Sequence, residues 1–162
     1  QYYIMRQHGT ERPGSCALNF EKRAGSFECA GCGQELFVSG RKFESGTGPF
    51  YMKRDEAGRV VCRFIAEPRH MNGGGFMHGG CFMTFADFAC FAIAEEQTEG
   101  PSVTVNLSGD FLSAAKVGDT MEATGEITRA GGRLIYVRGL ITANEKPALS
   151  FTSVITRVSK RP

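Results

Sequence analysis

Tryptophan is absent from this 162-residue sequence. So is any apolar run of the about 20 residues that a bilayer-spanning helix needs, and no signal-peptide pattern opens the chain. No block of like charge gathers anywhere: 19 basic and 17 acidic residues leave a formal charge of +2. That charge divides as +1 over residues 1–47 (six basic, five acidic) and +1 over the remainder (thirteen, twelve). So even a spread argues against a nucleic-acid surface and a polybasic membrane patch. A second Cys-x-x-Cys is also missing, so Cys29 and Cys32 offer two of the four ligands that a tetrahedral structural zinc wants. Beginning at Gln1 rather than Met, the sequence is expected to be processed or incomplete at its start. The length suits one domain with a real core, or a domain plus an appendage, and a reducing, cytoplasmic setting with free thiols is expected.

Against these absences stands one dense stretch, Asn72-Gly73-Gly74-Gly75-Phe76-Met77-His78-Gly79-Gly80-Cys81-Phe82-Met83-Thr84-Phe85-Ala86-Asp87. A glycine-laden loop runs into an apolar segment, Cys81 to Ala94, whose polar side chains are Thr84 and Asp87. The segment shows no β-alternation and holds no Gly or Pro, so its length marks a helix. Apolar residues on every side predict that this helix is buried all round. A carboxylate there is costly unless paired, hydrogen-bonded or protonated, which makes Asp87 the leading candidate for chemistry. Gly79 and Gly80 fall where the helix begins, so their amides are orphan donors at the positive end of its dipole. Oxyanion donors at a helix start, with a buried carboxylate deeper in the helix, make a hydrolytic arrangement.

The pattern Asn72…His78-Gly79-Gly80…Asp87 resembles the signature of hotdog-fold acyl-CoA thioesterases of the phenylacetyl-CoA type. The likeness runs over roughly residues 48–158 and takes in GPFYMKRDEAGRVVCRF, EPRHMNGGGFMHGGCFMTFADFACFAIA and SVTVNLSGDFLSAAKVGDTMEATGEI. It implies an α+β hotdog fold, an antiparallel sheet wrapped around one long central helix, working as a homodimer or homotetramer on an acyl-CoA. By the same resemblance Asp87 is the catalytic carboxylate, either a general base on water or the nucleophile at the thioester carbonyl. Gly79 then donates its amide to the thioester oxygen, and Asn72 helps hold the carbonyl or the water. His78 orients the loop, Thr104 positions the water, and Gly80, Phe76 and Phe82 border the substrate. CoA arrives as part of the substrate, and no other cofactor is expected. Arg69, Arg129 and Arg157 are candidate partners for its phosphates.

Each assignment has a plainer rival. Asp87 can be a helix carboxylate satisfied by a neighbouring amide or arginine, and Asn72 a loop side chain making a turn bond. His78 can be a structural residue at a helix start, and Thr104 a β-branched strand residue chosen for packing. Phe76, Phe82, Phe85 and Phe88 stand at helical spacing that suits core packing. Cys62, Cys81 and Cys90 read as small buried hydrophobes.

Residues 1–47 are rich in turn formers and carry scattered apolar positions. Gln1 to His8 reads as the end of a helix stopped by Gly9 and Pro13. Ser26 to Glu28 and Leu36 to Ser39 read as short strands around the Cys29-Ala30-Gly31-Cys32-Gly33 knuckle. The segment resembles the N-terminal part of the B-type methionine sulfoxide reductases through GTERPGS, CAGCG and KFESGTG. After Gly48 comes Pro49-Phe50 in place of that family's Trp-Pro-Ser-Phe run. The zinc site and catalytic cysteine of that family need a second Cys-x-x-Cys and an Arg-x-Cys-x-Asn-Ser-type stretch, and these 162 residues hold neither. The expected organisation is an appendage over 1–47 ahead of a thioesterase domain over 48–162. Cys29 and Cys32 are then a half-filled zinc site that Cys16 or a second chain would have to complete.

Further along, Arg59 to Glu67 alternates as a strand with Val60, Cys62, Phe64 and Ala66 on one face. The helix is expected from Gly79 to Gln97, stopped by Gly100-Pro101. Four strands follow, Ser102 to Leu112, Thr120 to Arg129, Arg133 to Ala143 and Ala148 to Val158. Short turns join the last three into an antiparallel meander. The competing functions are a hydratase or dehydratase on acyl thioesters, a non-catalytic acyl-CoA-binding module, and a zinc or redox protein built on the Cys29/Cys32 knuckle.

Overall fold

The structure, a computed structural model, describes residues 21, 23–38, 48–98 and 100–158. By internal contacts the chain divides into two units, Gln1–Lys42 and Phe43–Pro162. The expected helix end at Gln1 to His8 lies outside the described residues, as does Cys16.

The described part of the first unit is a hairpin of β1 (Ser26–Glu28) and β2 (Glu35–Val38), paired antiparallel. The knuckle makes its turn. Cys29 N–H donates to the Gln34 carbonyl and Gly33 N–H to the Cys29 carbonyl, each at 2.8 Å. Gly33 takes φ +72°, a left-handed conformation that costs a side-chain-free residue little. Cys29 is half-buried, and Cys32 is an exposed free thiol.

In the second unit, β3 (Tyr51–Arg54), β4 (Val60–Ile65), β5 (Ser102–Phe111), β6 (Thr120–Ala130), β7 (Leu134–Ala143) and β8 (Lys146–Arg157) form one antiparallel sheet. Its strand order is β3-β4-β6-β7-β8-β5. The expected meander is β6-β7-β8, closed between Ala143 and Lys146 by Asn144 and Glu145 at φ +46° and +68°. Two successive positive φ values match the right-handed twist of the strands they join. Val60, Cys62, Phe64 and Ala66 are buried on one side of β4 and its continuation, as their alternation requires. The short edge strand β3 escaped the sequence reading because four residues carry too little alternation to count.

The helix α1 (Gly79–Ile93) packs on the inner face of the sheet. Two expectations about it need correction. It ends at Ile93, and Glu95–Gln97 continue as a tighter 3-10 turn. Tertiary bonds hold that turn, since Arg157 Nε takes the Gln97 carbonyl at 2.8 Å and Arg54 pairs with Glu96 at 2.7 Å. Nor is the helix buried all round. Cys81, Phe82, Phe85, Ala86, Ala89, Cys90 and Ala92 are buried, whereas Met83, Thr84, Asp87, Phe88 and Phe91 are half-exposed. Residues 84, 87 and 91 recur along one stripe, and the sheet of a single chain wraps only the opposite side.

The interior is built around Phe50, Phe64, Phe85 and Phe88, with ring centroids 4.7 to 5.6 Å apart. Cys62, Cys81 and Cys90 lie in the same core. Burial pushes the Cys62 and Cys90 thiols up from about 9 to about 12, and Cys81 to about 11. Between those values the unfolded chain has lost thiol protons that the folded chain retains, so folding stability falls as pH rises. The contribution is complete below about pH 9, the ordinary value for these thiols, and is lost progressively up to about pH 12. Urea unfolding between pH 8 and 11 is expected to show midpoints descending from pH 9. A Cys62→Ala/Cys90→Ala variant should descend less steeply.

Candidate active site

The glycine loop is a closed hairpin rather than loose chain. At its entrance Pro68–His70 makes a 3-10 turn, in which Glu67 N–H donates to His70 Nδ1 at 2.9 Å. His70 is buried, edge-on to Phe64 at 5.2 Å, and its carbonyl accepts His78 N–H at 2.8 Å. Met71 and Met77 bridge the two sides, and Met77 N–H donates to the Ala115 carbonyl at 2.8 Å. Inside the hairpin Asn72 N–H donates to the Phe76 carbonyl at 2.7 Å, and Asn72 Oδ1 accepts from Gly74 N–H (2.8 Å) and Phe76 N–H (3.3 Å). The oxygen of Asn72 is therefore occupied in holding the loop. Its Nδ2 has no acceptor among the described residues and remains available as a donor. Asn72→Ala removes both bonds, and is expected to lower stability by about 1 kcal/mol, read from the urea midpoint.

His78 is the N-cap of α1, at φ −64° and ψ 135°, and its Nδ1 accepts Gly80 N–H at 2.8 Å. Cys81 N–H and Phe82 N–H both reach the His78 carbonyl, at 2.9 and 3.2 Å. Of the first amides of the helix, only that of Gly79 is left without an acceptor among the described residues. The two glycines therefore differ: the Gly80 amide is consumed by the cap, and the Gly79 amide is left without a partner among the described residues at the positive end of the dipole. A Cβ at Gly79 would come 3.2 Å from Phe111 Cζ. Phe111, 57 % exposed and edge-on to Phe82 at 5.8 Å, thus closes one side of this amide, and the sequence reading missed it.

Asp87 is half-buried on the uncovered stripe of α1, which corrects the expectation of a fully buried acid. Thr104 Oγ1 donates to Asp87 Oδ1 at 2.6 Å. The second oxygen, Oδ2, accepts nothing among the described residues. Thr104→Val, which keeps the shape and deletes the donor, would leave Asp87 Oδ1 without its hydroxyl partner.

Phe82 is buried core, with 2 % exposure, and Phe76 stands on the loop with the Lys116 ammonium 5.6 Å above its ring. Arg157, a candidate for phosphate, is instead committed to the Gln97, Gly131 and Gly132 carbonyls. Arg69 pairs with Glu67 at 3.1 Å, and Arg129 is exposed with no acceptor among the described residues. No group of three or more metal-ligating side chains occurs among the described residues. Two thiols of the knuckle do not make a tetrahedral zinc site, so no chemistry is assigned to a metal there. Among the described residues no helix is long and apolar enough to cross a membrane.

An antiparallel sheet wrapped on one long helix, with the glycine hairpin at the helix start, is the hotdog fold. The chain belongs to the Thioesterase superfamily, whose profile matches residues 74–148. The SelR domain profile matches residues 1–72, a span that includes β3 and β4 of the six-stranded sheet. A Pseudomonas aeruginosa protein bearing the name "Putative esterase" is 31 % identical over 109 residues, 66 % of this chain and 81 % of that protein. Human acyl-coenzyme A thioesterase 13 is 28 % identical over 103 residues, 63 % of this chain and 74 % of that enzyme. The peptide methionine sulfoxide reductase MsrB of Methanosarcina mazei is 60 % identical over 48 residues, 30 % of this chain. The chain spans only about a third (34 %) of the length of that reductase. Among solved structures, a hypothetical thioesterase with coenzyme A from Streptococcus pneumoniae superposes with TM-score 0.61 at 22 % identity, covering 70 % of this chain and 88 % of that one. The PaaI protein of the E. coli phenylacetic acid degradation operon gives 0.62 at 22 %, covering 68 % and 80 %.

Proposed function

We propose that this protein hydrolyses acyl-CoA thioesters to the free acid and CoA, in a site completed by a second copy of the chain. The observation that carries this reading is the Asp87 carboxylate, clamped through Oδ1 by Thr104 at 2.6 Å with Oδ2 left open on the uncovered side of α1. The unpaired Gly79 amide supplies the oxyanion donor. These two groups stand well apart on one helix. Eight residues separate them, which is about 12 Å along a helix axis. The carbonyl oxygen is bonded to the reacting carbon at about 1.2 Å, and the attacking water stands only about 3 Å from that carbon.

A second copy resolves the gap. Strand β5 pairs with β8 on one side only, and its Val103 and Val105 are 50 % and 59 % exposed. Two-fold pairing along β5 would cover the open stripe of each α1 and bring the Gly79 amide of one protomer toward Asp87 of its partner. The chemistry then runs in balance. Asp87 Oδ2 takes a proton from water as the water oxygen adds to the thioester carbonyl. The resulting oxyanion is held by Gly79 N–H, and its collapse breaks the C–S bond. Asp87 returns the proton to the departing CoA thiolate. A direct attack by Asp87, through an anhydride that water then cleaves, uses the same atoms. The names of the human acyl-CoA thioesterase and the CoA-bound streptococcal structure support this substrate class.

Thiol release measured on a panel of aryl- and alkyl-CoA thioesters tests the proposal, with sedimentation of the same sample reporting the assembly. Turnover by a dimer or tetramer is expected. Tight binding of the CoA esters without turnover would replace the hydrolase by a binding module.

A further inference from the structure

Among the described residues the buried interior holds two polar side chains, His70 and Ser153. His70 closes the glycine hairpin. Ser153, 2 % exposed, has no part in the chemistry above. It stands on the inward face of β8 in the alternation Leu149, Phe151, Ser153, Ile155, and a hydroxyl in that row is costly unless bonded. Its Oγ donates to the Asn106 carbonyl of β5 at 2.9 Å.

The acceptor stands at a special place. The register of β5 on β8 breaks between Thr104 and Asn106, with Val105 as the extra residue of a β-bulge. From Leu107 onward the odd-numbered residues face inward: Leu107 packs on the core, Gly109 abuts Met83 and Leu149, and Phe111 covers Gly79. Uninterrupted alternation would carry Val103 and Val105 inward and turn Thr104 away from the helix. The bulge reverses this, leaving both valines exposed and Thr104 Oγ1 on Asp87.

We infer that Ser153 is a positioning residue for the Asp87 carboxylate: its bond to the Asn106 carbonyl locks the bulge that aims Thr104 at Asp87. Its kinetic consequence rests on the hydrolase reading, but the geometry does not. Without the Ser153 hydroxyl the Asn106 carbonyl loses its buried donor, and β5 can relax toward even register.

The test is a double-mutant cycle in the full chain with crystal structures of the variants. Ser153→Ala is expected to lower kcat about tenfold with KM changed by less than about twofold. In a Thr104→Val background it should cost less than about twofold more, because both changes act through one bond. Ser153→Thr, which keeps the hydroxyl, should recover most of the loss. In the Ser153→Ala structure the Thr104–Asp87 separation should exceed about 3.5 Å. Multiplicative losses in the cycle, or a Ser153→Ala structure with bulge and bond intact, would overturn the inference. If Ser153→Ala does not fold, Ser153→Cys, equal in size and weaker as a donor, carries the same comparisons. A wild type without turnover on any CoA ester removes the hydrolase reading, and the variant structures then decide the positioning role alone.

Discussion

Asp87→Asn is expected to reduce thiol release from acyl-CoA by roughly 10³-fold, the scale of removing a catalytic acid–base group. The substitution is nearly isosteric, and the asparagine oxygen can still accept from Thr104 Oγ1 as Oδ1 does now. What disappears is the open oxygen that takes the water proton or attacks the carbonyl. The loss should therefore fall on kcat, with KM for the CoA ester changed by less than about threefold. Stability should not fall with it: Asp87 is half-buried without a positive partner among the described ion pairs, so a neutral amide there strands no counter-charge. Urea midpoints within error of wild type, beside a collapsed kcat, would separate chemistry from folding. A variant that keeps a tenth or more of wild-type kcat would exclude Asp87 as base and as nucleophile alike.

The sequence made Asp87 conspicuous because a carboxylate in an apolar helix has few innocent explanations. The two glycines and His78 were legible for a similar reason, since a helix start must satisfy its own amides. What could not be read was the division of labour between Gly79 and Gly80. It depends on which amide the His78 ring captures, a matter of rotamer rather than of residue type. Val60, Cys62, Phe64 and Ala66 gave β4 away by alternation, whereas β3 was too short to alternate visibly. The helix misled in one respect. An apolar stripe left open on a helix has the same composition as one packed on the chain's own core, so the uncovered side through Asp87 read as interior. Thr104 stood out only through the family likeness, because plain alternation along β5 places it on the wrong face. The bulge at Val105 that corrects this is fixed by Ser153, far off in sequence. That serine did leave a mark, as the one polar residue in the inward row of β8, a signal that strand patterning alone could have flagged.

Gly79→Pro is expected to lower kcat by roughly 10²-fold to 10³-fold, the loss that follows removal of one oxyanion donor. Proline is an unusually clean probe at this site. It is favoured at the first helical position, where no intrahelical bond is lost. It also requires the preceding residue to be extended, and His78 already sits at φ −64° and ψ 135°. The cap from His78 Nδ1 goes to Gly80 N–H and is untouched. The new ring meets Phe111, whose Cζ lies 3.2 Å from the site of a Cβ, but Phe111 is 57 % exposed and free to yield. Gly79→Ala introduces that contact while keeping the N–H, and should cost less than about tenfold. The difference between the two variants then reports the amide alone. Equal losses in both would assign the effect to crowding and remove Gly79 from the oxyanion site. The same substitution also tests the shared site. Mixing Gly79→Pro with Asp87→Asn protomers gives hybrid dimers in which one site carries both defects and the other neither. Activity should rise to about a quarter of wild type after subunit exchange, as two-fold symmetry with random pairing dictates. If amide and carboxylate served the same thioester within one chain, every site would keep a defect and mixing would restore nothing.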